Sequence, residues 1–233
     1  MNTSHADTLD TRWNWLYKVG GAAALFGVAI IPAQLAIFIA WGQPGTALGW
    51  FTLFQENKLA GLLAFEFLFV VNAALGISTT LALYIALRQV NESLMTLALA
   101  LGLVEAIALI MARPAFEMLS LSNQYAGATT DAQRAMFLAA GEAMLATFDG
   151  TAFHVSYNIF SVFLLMVSLV MLRSNIFGRV TASMGILAAI LNWGLYVPDI
   201  GIFLSILSIV PLAIWNVLIA RRLFQLGSAI RKG

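Results

Sequence analysis

Four residues of this chain combine chemistry-bearing types with costly placement: Glu66, Glu105, Arg113 and His154. Each glutamate interrupts an apolar run. An ionisable side chain there costs of the order of 2–4 kcal/mol on insertion-type scales if it meets lipid, so it pairs or faces the interior of a helix bundle. A structural ion pair and a binding role are both open for the two acids. Arg113 and His154 are the cationic candidates on the same side. A second constellation lies in GILAAILNWGLYVPDIG, where Asn192, Tyr196 and Asp199 follow at spacings of four and three. Those spacings place them on one face of a helix. Asn158 shares a face with His154 in the same way. These eight residues form the candidate binding set. Each has a plainer reading as well. Asp199 follows Pro198 and can cap the next span. Tyr196 can anchor at the interface, Arg113 can snorkel to headgroups, and the asparagines can stitch helices together.

The types of chemistry available are limited. The chain has no cysteine, which excludes thiolate catalysis and Cys-ligated metal. His154 is the single histidine inside an apolar run, with His5 on the opposite side. A catalytic zinc with two or three histidines, as in the seven-span ceramidase-like hydrolases, is therefore not available within one chain, nor is a bis-His haem. A carboxylate-rich hydrolase site from Glu66, Glu105, Asp149 and His154 is the least favoured alternative. No Gly-rich phosphate loop or catalytic signature occurs. A net charge of +1 suggests no nucleic-acid partner. No catalytic residue, metal ligand or cofactor is assigned.

The elements that must position these residues follow from composition. Of the 233 residues, 61% are hydrophobic and 10% charged, against about 25% charged in soluble domains. Lipid must be the solvent for much of the chain, here expected to be the cytoplasmic or inner cell membrane. Uncharged runs approaching the roughly 20 residues of a bilayer crossing predict an all-α bundle of six spans. They lie at about 18–41, 59–87, 94–113, 150–172, 177–198 and 200–220 within one membrane domain, 1–233. The first is read as a retained span. Residues 114–149 are too long for a turn and form an outer loop whose middle, SNQYAGATTDAQ, is turn-like. Thr130 and Gln133 resemble a capping box that opens a helix after it.

Basic residues set the orientation. Nine lie on one side (Arg12, Lys18, Arg88, Arg173, Arg179, Arg221, Arg222, Arg231, Lys232) and three on the other (Lys58, Arg113, Arg134). The basic side is expected to be cytoplasmic, with both termini on it. Small residues recur at helical spacing toward that side: Gly20, Ala24 and Gly27; Ala98 and Gly102; Gly178, Ala182, Gly185 and Ala189. Such stripes let backbones approach closely. The expected bundle is tight in its inner half and opens into a polar pocket in its outer half.

The stretch from FDGTAFHVSYNIF through LNWGLYVPDIGIFLSILSIVPLAIWNVLIARRLFQL resembles the C-terminal half of a bacterial and archaeal family, domain of unknown function 4386. AFEMLSLSNQYA and TTDAQRAMFLAAGEA fit the outer loop of its members. The resemblance implies a multi-pass membrane protein and no reaction, so no catalytic residue carries over. The expected function is non-enzymatic binding or transport of a small molecule, ion or lipid, with a homo-oligomer as one form of the assembly. A structural or signalling partner without a ligand is the alternative.

Overall fold

The computed structural model describes residues 11–228, so His5, Arg231 and Lys232 lie outside the described residues. The fold is all-α. A short 3-10 turn at Thr11–Trp13 leads into α1 (Asn14–Trp41), α2 (Ala47–Glu56), α3 (Lys58–Ala64), α4 (Phe67–Leu87) and α5 (Glu92–Met111). Then come α6 (Ala115–Ala126), α7 (Asp131–Phe148), α8 (Thr151–Leu172), α9 (Arg179–Trp193), a 3-10 turn at Gly194–Tyr196, and α10 (Gly201–Gly227). Among the described residues, five stretches are long and apolar enough to cross a membrane: Asn14–Trp41, Phe67–Leu87, Glu92–Ala126, Asp131–Leu172 and Gly201–Gly227. Along α10, Ile202, Ile206, Val210, Ile214 and Val217 form an exposed apolar stripe, as a helix in lipid requires.

Several expected boundaries move. The second expected span, 59–87, is interrupted between Ala64 and Phe67, which separates α3 from α4. Glu66 there takes a left-handed backbone, φ 61°, which a non-glycine residue adopts only when its surroundings hold it. Residues 47–56, read as a connection, form a full helix capped by Thr46, whose side chain accepts from the Gly49 N–H. The SNQYA segment is helical to Ala126, so the turn narrows to about four residues. The Thr130 cap does open α7, with its hydroxyl accepting from Gln133 N at 3.2 Å. The return bond of the box shifts by one residue, because Gln133 Oε1 accepts from Thr129 N.

By its contacts the chain divides into two units, each assembled from separated segments. Of the described residues, the first contains 11–27, 75–102 and 161–228. Its helices approach at small residues. A Cβ on Gly20 would lie 2.8 Å from Ala82 Cβ, and one on Gly102 would lie 2.8 Å from Thr80 Cγ2. Thr79 Oγ1 donates to Gly20 O at 2.8 Å across the first of these contacts. On α9, Ala182, Gly185, Ala189 and Asn192 are buried as one stripe, whereas Gly178 is exposed with nothing near it.

The second unit contains residues 28–74 and 103–160. Its core joins Ala47, Trp50, Phe51 and Phe54 of α2, Ala64 of α3, Phe65, and Ala115 and Met118 of α6. Phe65 stacks edge-on against both Trp50 and Phe148, each at 4.8 Å between ring centroids. Positions 47, 50, 51 and 54 are the apolar face of an amphipathic helix. That pattern in residues 47–54 is the signal that this segment is more than a connection.

Candidate functional site

Three chain breaks of the second unit meet at one guanidinium. Arg113 sits between α5 and α6, immediately before Pro114, and a residue before proline is steered out of the helical region. Its Nε donates to Glu66 Oε2 at 2.6 Å, and both side chains are shielded, at 6% and 14% exposure. Its Nη1 donates to Ala112 O and to Phe148 O, each at 3.2 Å. The Phe148 carbonyl is at the C-terminal end of α7, where backbone acceptors lack intrahelical partners. The Arg113 Cζ atom lies 4.2 Å from the centroid of the Phe148 ring and 5.1 Å from that of Phe153. Arg113 therefore ties the α3/α4 break, the α5/α6 break and the end of α7 together.

The break at Glu66 is sealed from the other side. Gln34 on α1, buried, donates its Nε2 to Leu63 O at 3.1 Å. That carbonyl would accept the Phe67 N–H in a continuous helix. Phe148, Phe153 and Gln34 were absent from the candidate set, although Gln34 continues the helical spacing of Gly20, Ala24, Gly27 and Ile31 to the outer end of that span. They act here through a backbone carbonyl, two ring faces and a helix break, none of which has a sequence motif.

The other candidates are placed differently. Glu105 is half-buried on α5 and makes no hydrogen bond or ion pair among the described residues. It is not joined to the Glu66–Arg113 pair. His154 and Asn158 share a face of α8, as their spacing requires, and Asn158 Nδ2 donates to His154 O at 2.8 Å. They line an open groove of about 470 Å³ with Gly150, Thr151, Val155 and Ile159.

Asn192, Tyr196 and Asp199 belong to the first unit and do not continue one helical face. The α-helix ends at Trp193 and tightens to a 3-10 turn, which changes the angular step per residue. Asn192 is buried and donates to Ser161 Oγ at 2.7 Å, joining α9 to α8. Tyr196 and Asp199 are exposed, and Asp199 sits in a turn with φ 66°. Gly194 and Pro198 are the sequence signals of that change.

Among the described residues, no group of three His, Asp or Glu side chains is placed to hold a metal ion. Apolar helices of spanning length, an apolar exposed stripe and a buried Arg–Glu pair at helix breaks define a multi-pass membrane protein. The chain belongs to the family described as domain of unknown function (DUF4386), whose model matches residues 19–225. No curated protein and no solved structure matches it.

Proposed function

We propose that this is a non-enzymatic binding protein of the cell membrane with six spans and both termini cytoplasmic. Helices α2, α6 and α7 would then lie on the outer side. The sixth span is α9 with its 3-10 extension. Fifteen α-helical and three 3-10 residues rise about 28 Å together, close to the roughly 30 Å of hydrocarbon. The bound molecule is an amphiphile such as a lipid. The observation that carries this reading is the groove along α8. Thr151, His154 and Asn158 supply polar contacts for a headgroup, and Val155 and Ile159 supply an apolar bed for a chain. The groove lies on a candidate span, Asp131–Leu172. Transport draws support from the interrupted helices at Glu66 and Arg113, because broken spans line ligand paths in many transporters.

The second reading, a partner protein without a ligand, is favoured by how completely the Glu66–Arg113 and Asn192–Ser161 contacts are closed. Native mass spectrometry of the purified protein separates the two. A retained amphiphile is expected on the unaltered chain, with occupancy at least tenfold lower on the His154→Leu/Asn158→Leu double variant. A bare protein mass throughout favours the partner reading. The same adduct on a folded double variant places the ligand elsewhere.

A further inference from the structure

We infer that the cleft between the C-terminal ends of α2 and α6 binds a small organic cation, an ammonium group carrying alkyl substituents. The cleft is open to solvent, has a volume of about 340 Å³ and is lined by Phe51, Thr52, Gln55, Glu56, Tyr125 and Ala126. It is separate from the groove along α8, and the inference does not depend on that groove.

The groups facing the cleft are almost all acceptors. Glu56 ends α2 and Ala126 ends α6, so two negative dipole ends lie there; the N-terminus of α3, which follows at Lys58, is capped by the Asn57 side chain. The Glu56 side chain is exposed and makes no hydrogen bond or ion pair among the described residues, Lys58 included. The Gln55 amide nitrogen is committed, donating to Ser122 Oγ at 2.9 Å and to Asn123 Oδ1 at 3.3 Å. Its Oε1 is left to accept. The Thr52 hydroxyl is also committed, donating to Leu48 O at 2.9 Å. The Tyr125 hydroxyl is the remaining side-chain donor. An anion would find little to bind, whereas a cation finds a carboxylate, an amide oxygen and two helix ends.

The walls select an organic cation over a metal ion. Calcium takes six to eight oxygen ligands from protein and water, and magnesium sites combine one or two carboxylates with waters or phosphates; this cleft offers one exposed carboxylate and one free amide oxygen. Beside Thr52 and Gln55, its other surfaces are the aromatic Phe51 and Tyr125 and the apolar Ala126. The Tyr125 ring packs on Phe51 at 5.4 Å between centroids, tilted 43°, and remains half-exposed. A ring face attracts an alkylammonium through its quadrupole, and Ala126 offers contact to the alkyl groups. The surrounding segments reinforce the sign. Residues 43–65 and 114–150 carry five acids (Glu56, Glu117, Asp131, Glu142, Asp149) against two bases (Lys58, Arg134). A net negative field raises the local concentration of cations.

Calorimetric titration of the full chain in detergent with tetramethylammonium chloride, against sodium chloride at equal ionic strength, tests the assignment. Saturable heat is expected with tetramethylammonium alone. Glu56→Gln and Tyr125→Ala should each weaken binding at least fivefold, and Tyr125→Phe should stay within twofold. Glu117→Gln removes an acid of the same segments outside the cleft and should leave binding unchanged. If Tyr125→Ala fails to fold, Glu56→Gln decides, because that carboxylate makes no hydrogen bond or ion pair among the described residues. Absence of saturable heat overturns the assignment. So does equal weakening by Glu117→Gln and Glu56→Gln, which would mean diffuse charge attraction, or unaltered binding in folded Tyr125→Ala.

Discussion

Arg113→Ala should be the most destabilising single substitution in the second unit, by about 3–5 kcal/mol, the range for breaking a buried ion pair from one side. The variant leaves the Glu66 carboxylate shielded without its partner at 2.6 Å. It also leaves Phe148 O without its donor and removes the cation from between the Phe148 and Phe153 rings. The side chain of Glu66, whose backbone is left-handed at φ 61°, loses its bond to Nε. Glu66→Gln should cost less, about 1.5–3 kcal/mol, because the amide oxygen still accepts from Nε and the guanidinium left without its counter-charge keeps Ala112 O, Phe148 O and two ring faces. The double variant Glu66→Leu/Arg113→Met should be less destabilised than the sum of its single changes, since no buried charge is left over. Thermal unfolding in detergent, followed by loss of the monodisperse peak in size exclusion, gives the order. Additive costs would show that the two side chains do not act as a pair.

Gly185→Leu should cost about 1–3 kcal/mol through overpacking. A Cβ at Gly185 would already collide with Ser168 Oγ and would lie 2.7 Å from Trp215 Nε1 and 2.8 Å from Trp215 Cδ1. The gain in helix propensity from replacing glycine, at most about 1 kcal/mol, is smaller than that clash. Ser168 Oγ and Trp215 Nε1 are buried with no hydrogen-bond partner among the described residues. Ser168→Ala should therefore be neutral or stabilising alone, since it removes a hydroxyl that is buried and unpaired. It should also recover part of the loss in Gly185→Ala by making room. Gly178→Ala is the control: nothing lies within 4 Å, and its cost should stay under about 1 kcal/mol. Melting of Gly185→Leu at the unaltered temperature would mean that the stripe carries no close packing.

What could be read in advance follows the range of the interactions. The apolar runs, the Thr130 cap, the break before Pro114 and the buried stripe through Gly185 depend on a residue and its near neighbours, so a linear pattern reveals them. The break at Glu66 has no proline or glycine beside it. Its glutamate pairs with Arg113, 47 positions away, and no local pattern encodes that pairing. The pairing of one glutamate with Arg113 was an expected option, but its role in joining three chain breaks was not. The Asn192–Tyr196–Asp199 face failed for the opposite reason. Spacing was read as α-helical across Gly194, where the backbone tightens and the angular register is lost. Glu105 carried the same sequence signal as Glu66 yet has no partner among the described residues. Burial cost flags a residue without saying whether a neighbour answers it.

The proposed six-span arrangement puts the α2, α6 and α7 helices outside the cell, and labelling single cysteines from one side of the membrane tests that most directly. The chain has no cysteine of its own, so Gln89→Cys, Gln124→Cys, Asn175→Cys and Ser228→Cys, all at exposed positions, report without background. In intact cells a membrane-impermeant maleimide should label Gln124→Cys alone, and the other three only after permeabilisation. Labelling of Ser228→Cys from outside would contradict the six-span arrangement, and protection of Gln124→Cys would place the cleft and its helices on the cytoplasmic side.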